Sequence, residues 1–270
     1  MIFLNTYEEK VLQEAEHWKF SMLKRPSKFQ RTAKSLQLKI NEKIPAKVHK
    51  IMTESIKKMV ETTLVGSDFT TKKRDVSGLS FEEKEKRILE LIPKYKKTAA
   101  VEGAGTGAGG ILLGAADFPL LLSIKMKCLF DIAATYGFDV KEKEERIYML
   151  YIFHLAFCSD DHRTKLLEVV ENWEEKKEEL LELDWKAFQQ EYRDYIDVVK
   201  MFQLMPGIGA VIGAYANYQL LDHLTKVAMN VYRFRILSSS PKESKNVKKL
   251  HSELFFTLIF YLHMHLQISE

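Results

Sequence analysis

Cysteine is nearly absent from this 270-residue chain, and proline and glycine are sparse, with 2 Cys, 6 Pro and 12 Gly. Cys128 and Cys158 lie in apolar runs without CxxC spacing. That excludes a disulfide framework and fits buried thiols in a reducing compartment. Neither HExxH nor a Cys/His cluster of zinc spacing occurs, so no metal and no cofactor is expected. No GxSxG elbow precedes a His and an acid, and no Lys-Ser or Lys-Thr follows the glycines as a Walker A loop requires. The N-terminal residues MIFLNTYEEK lack a basic region followed by an apolar core, so a signal peptide is not expected.

What is present is apolar content at helical spacing. Hydrophobic residues make up 46% of the chain and recur mostly at three- and four-residue intervals, which predicts an all-α multi-helix bundle rather than an all-β or doubly wound fold. Tyr7, Val11, Ala15, Trp18 and Met22 form one stripe, predicting a helix from Thr6 to about Met22. Phe29, Ala33, Leu36 and Ile40 form another. Val48, Ile51, Met52, Ser55, Ile56, Met59 and Val60 give the cleanest stripe, with Lys47, Lys50, Glu54, Lys57 and Lys58 opposite it. Residues 66–80 read as a loop, and Ser80 with Glu83 as a capping box that starts a helix through Ile88, Leu91 and Ile92. Ile124–Tyr136 reads as a buried helix closed by Gly137. Asp139 is expected to cap the helix carrying Glu145, Arg146, Met149 and Phe153, and Asp160 and Asp161 the one after it.

Charge is unevenly spread. The formal net charge is +4, yet between Lys19 and Val60 acids are almost missing, with only Glu42 and Glu54 against a long series of Lys and Arg. Lys24, Arg25, Lys28, Arg31, Lys34 and Lys39 are the expected basic surface, assigned to an anionic membrane rather than to nucleic acid. Acids dominate instead between Glu171 and Asp197.

Two segments are glycine-rich and apolar: VEGAGTGAGGILLGAADFPLLLS (101–123) and MFQLMPGIGAVIGAYANYQLL (201–221). Gly103 and Gly107, Gly105 and Gly109, Gly110 and Gly114, and Gly209 and Gly213 each stand four apart, which on a helix opens one face to close approach by another backbone. Both segments are expected to be helical and to pack against each other, and tight core packing and membrane-associated hairpins both satisfy that spacing. Gly105, Gly107 and Gly110 formally match GxGxxG, but no strand precedes them, so dinucleotide binding is not expected. Asp117 and Asp131 are the carboxylates in apolar surroundings, and so the catalytic candidates if the chain is an enzyme. Asp117, two residues before Pro119, also reads as a helix cap, and Glu145 with Arg146 as an ion pair or solvated helix face. His154, in an apolar run, reads as a core residue.

The run EGAGTGAGGILLGAADFPLLLSIKMKCLFDIAATYGFDV, the EERIYML after it and PGIGAVIGAYANYQLLDHL resemble the two signatures of the EcsC family. The positions that carry the match are Gly103 to Asp117, Pro119, Tyr136 to Asp139, Glu145, Arg146, Pro206, Gly207, Gly209, Gly213 and Asn217. The resemblance implies a bacterial helical protein whose namesake belongs with an ABC transporter linked to protein secretion, and it brings no established active site. The chain then divides into basic N-terminal helices (1–44), an EcsC-like helical domain (45–235) and a polar linker with an apolar tail (236–270). The apolar tail run from Leu254 to Leu266 reaches only about 20 Å as a helix, short of a bilayer's hydrocarbon core. The expected function is that of a cytoplasmic accessory protein, peripheral to the inner face of the cell membrane, with a membrane transporter as the expected partner. A hydrolase-type enzyme using Asp117 or Asp131 and a helical protein–protein interaction module are the alternatives, and the oligomeric state is left open.

Overall fold

Asn5 opens the first helix by accepting the Tyr7 and Glu8 amides on its side chain, while Glu8 reaches back to the Asn5 amide. This reciprocal cap satisfies donors that a helix start leaves orphaned. The computed structural model describes residues 4–23, 46–65, 75–107, 117–158, 160–182 and 210–238. Within them are eight helices and no strand: α1 (Thr6–Leu23), α2 (Ala46–Val65), α3 (Phe81–Gly107), α4 (Phe118–Tyr136), α5 (Lys143–Phe157), α6 (Asp160–Glu171), α7 (Trp173–Glu182) and α8 (Ala210–Leu237). The protein is all-α, as the periodicity predicts.

The predicted stripes are the buried ones. Val11 and Ala15 of α1 are buried, as are Met52, Ser55, Ile56, Met59 and Val60 of α2, whose Lys50, Glu54, Lys57 and Lys58 face solvent. α4 and α5 are apolar nearly all round and buried along most of their length, which makes them the centre of the bundle. Gly137 closes α4 at φ 107°, where its amide bonds to the Ala133 and Ala134 carbonyls. A side chain is strained in that left-handed conformation, so glycine ends the helix there.

The Ser80–Glu83 box starts α3 as expected, and the helix runs through Pro93 into the first glycine segment as far as Gly107. Pro93 and Leu89, whose carbonyl loses its helical donor, are both exposed, so the proline sits on the solvent side of the helix. Two local expectations change. Asp139 does not cap α5. Its carboxylate accepts the Lys141 amide in the preceding turn, and Glu142 holds the N-cap position. Glu145 and Arg146 form neither an ion pair nor a solvated face: Glu145 is buried, and Arg146 donates to the Leu64 and Lys141 carbonyls. The stretch expected to be helical from Phe29 to Ile40, the loop over 66–74 and the tail from Leu254 to Leu266 lie outside the described residues.

α3 and α8 form the most extensive helix pair. They run antiparallel, since Arg233 near the end of α8 bonds Glu85 near the start of α3, and Lys96 bonds Asp222. Both pairs fit one register. Carried onward, it sets Val101 level with Asn217 and Gly105 level with Gly213.

Candidate functional site

The two ends of the α3–α8 pair differ in chemistry. At one end, Glu85 is fully buried and every oxygen is used: Arg233 donates Nε and Nη2 to it at 2.7 and 2.8 Å, and the hydroxyls of Tyr136 and Tyr7 donate at 2.7 and 2.8 Å. Burial alone would lower the Arg233 guanidinium, but the hydrogen bonds and charge of Glu85 hold it above its ordinary value. Beside it, Arg235 lies 4.3 Å from the ring centroids of both Phe138 and Tyr148, donating to Glu145 at 2.6 Å and to Glu174 at 3.0 Å. Tyr232 also donates to Glu145, whose carboxyl burial pushes above the usual range despite Arg235. These groups fasten α8 to α3, α5 and α7, with Glu85 and Glu145 buried at their centres. Sequence reasoning missed both clusters, although each acid sits on an apolar stripe: Glu85 with Phe81, Ile88 and Ile92, and Glu145 with Tyr148, Met149 and Ile152.

At the other end the glycine segments arrive. Gly103, which is buried, lies in α3 with Gly105 and Gly107, and Gly213 lies in the first turn of α8. Gly109, Gly110, Gly114, Pro206, Gly207 and Gly209 lie outside the described residues, as do Lys24, Arg25, Lys28, Arg31, Lys34 and Lys39. Large apolar and aromatic side chains are exposed here: Val101 at 62%, Leu120 at 46%, Tyr215 at 65% and Tyr218 at 41%. The Lys96 ammonium group lies 4.4 Å from the Tyr218 ring centroid. On α2, Lys47, Lys50, Lys57 and Lys58 add an exposed basic face.

The two candidate carboxylates are not brought together. Asp117 holds the N-cap position of α4, as expected of a cap, but its side chain makes no capping bond; its carbonyl accepts the Leu120 and Leu121 amides. Asp131 lies fourteen residues further along, about 20 Å away on a helix. It is buried, accepts the Tyr95 hydroxyl at 2.7 Å and pairs with Lys127 at 3.1 Å. Burial pushes the Cys128 thiol well above its ordinary value and the His154 imidazole down to about 3, so neither is charged at neutral pH. Burial also pushes the Lys125 amine down to about 7. Among the described residues no His, Cys, Asp and Glu cluster could hold a metal ion. Next to Asp131, a cavity of about 450 Å³ opens between α2, α3 and α4.

Comparison with known proteins accounts for the glycine signatures. The chain is 54% identical to Protein EcsC of Bacillus subtilis (strain 168) over 238 residues, covering 88% of this chain and 100% of that protein. It is 33% identical to the uncharacterized protein YdbA of the same organism over 163 residues, covering 58% of this chain and 60% of that one. No solved structure matches. The model of the EcsC protein family matches residues 9–237, a span that begins upstream of Pro45 and takes in most of α1 together with the core it packs on. The chain belongs to the EcsC protein family.

Proposed function

We propose that this protein is a peripheral membrane accessory, working beside a membrane transporter in transport or secretion, and that its glycine-rich end is the part that meets the bilayer. The observation that carries the reading is the exposed set Val101, Tyr215 and Tyr218, on the stretches of α3 and α8 that hold the glycines, with Leu120 in the first turn of α4. Tyrosines suit the interfacial layer of a membrane, and exposed apolar side chains gain by leaving water. Among the described residues no helix is long and apolar enough to cross a membrane, which supports attachment at a surface. The lysines of α2 and the basic stretch before it supply attraction to anionic lipid, about 1 kcal/mol for each Lys or Arg that engages. The transporter partner follows from the family resemblance alone.

Co-sedimentation of the full chain with anionic and neutral vesicles across a salt series tests the reading. Binding to anionic vesicles at low salt, weakened but not abolished at high salt, is expected. Equal and negligible binding to both vesicle types would overturn it and leave the exposed patch to a protein partner, as in a helical interaction module.

A further inference from the structure

The cavity between α2, α3 and α4 has no role in the membrane reading, and its chemistry is specific. At about 450 Å³ it falls within the range of small-molecule sites. Lys58 and Lys127 line it from two different helices, and hydroxyls line it from three: Ser55 on α2, Thr98 on α3 and Ser123 on α4. Among the described residues no carboxylate lines it. The adjoining Asp131 is already engaged, one oxygen by Tyr95 and the other by Lys127, while Lys58 enters none of the ion pairs among the described residues.

We propose that this cavity binds a phosphate ester. Lys58 on α2 and Lys127 on α4, the latter shared with Asp131, bring two ammonium groups to one cavity, and hydroxyls from three helices line it, a donor set that fits an anion with several charged oxygens. Ser55, Thr98 and Ser123 now donate to the carbonyls four residues back, Ile51, Lys94 and Pro119. In a helix those carbonyls also accept the backbone amide, so turning the hydroxyls toward a ligand orphans no acceptor. Met59 and Ile124, which also line the cavity, offer apolar contact to the organic part of the ester. A lipid headgroup and a soluble phosphorylated metabolite share this chemistry. The site stands independently of membrane attachment: phosphate-ester binding with no vesicle binding, or the reverse, separates the two proposals.

Calorimetric titration of the full chain with inorganic phosphate, glycerol 3-phosphate and dihexanoylphosphatidic acid, with glycerol as the uncharged control, tests the proposal. Lys58→Gln and Ser123→Trp, both at exposed positions, respectively remove a cation and fill the space. Saturable binding of at least one phosphate-bearing probe is expected, with none of glycerol. Both variants should weaken it by about tenfold or more, as loss of a charge-assisted hydrogen bond does. Tighter binding of the phosphatidic acid would mark a lipid source, and equal binding of glycerol 3-phosphate a soluble one. If no probe binds, or if binding is unchanged in both variants while circular dichroism shows them folded, the proposal is overturned.

Discussion

The two ends of the α3–α8 pair are built from opposite kinds of residue. One end buries charge: Glu85 and Glu145 are matched by Arg233 and Arg235, with tyrosine hydroxyls taking up the remaining acceptor capacity. At the other end Gly103, Gly105 and Gly107 of α3 carry no side chains, and Val101, Tyr215 and Tyr218 face water. Buried charge needs every partner in place and leaves nothing free to bind elsewhere. Glycine costs roughly 1 kcal/mol per helical position relative to alanine, yet lets backbones approach and keeps neighbouring apolar groups on the surface. The first end holds the fold, and the second is the part that the membrane reading proposed above assigns to the bilayer.

The largest expected effect is at the charged end. Arg233→Ala leaves Glu85 buried without its cation and should cost about 3–5 kcal/mol in urea unfolding. Lys96→Ala, beside the part-exposed Asp222, should cost far less. If the two losses were equal, the contrast between the ends would be wrong.

Overpacking comes next. Gly103→Leu should destabilise by ~1–3 kcal/mol, whereas Val101→Ser, two residues away on the exposed side, should change stability by less than about 0.5 kcal/mol and weaken vesicle binding. A Gly103→Leu protein with an unchanged midpoint would remove the case for close packing.

A smaller effect, graded by pH, belongs to Lys125, which α4 buries between the ends. Its pKa falls from 10.5 to about 7 through burial. Between those values the unfolded chain holds a proton that the native protein has released, so stability rises with pH across that window. Lys125→Met should remove a slope of at most roughly 1.4 kcal/mol per pH unit. Denaturation of both proteins at pH 7, 8 and 9 measures it, and identical slopes would contradict the assignment.

Helical stripes such as that of α2 were legible because burial of a helix face depends on spacing within one segment. The capping box at Ser80 and the glycine stop at Gly137 were legible for the same reason. The two arginine clusters were not, since Glu85 and Arg233 meet across 148 positions of sequence and only the fold brings them together. An acid on an apolar stripe signals that a partner exists without naming it. The glycine signatures marked the candidate site, while the exposed residues and the cavity beside it depend on how α2, α3 and α4 meet.

The most direct test of the contrast is fluorescence quenching by spin-labelled phospholipid. The native Cys128 and Cys158 are buried, so a fluorophore can be attached selectively to Val101→Cys at the glycine end or to Lys86→Cys at the charged end, both exposed positions of the same helix. On addition of anionic vesicles the Val101→Cys label should be quenched and the Lys86→Cys label left unchanged. Quenching at Lys86→Cys alone, or equal quenching at both, would contradict the account.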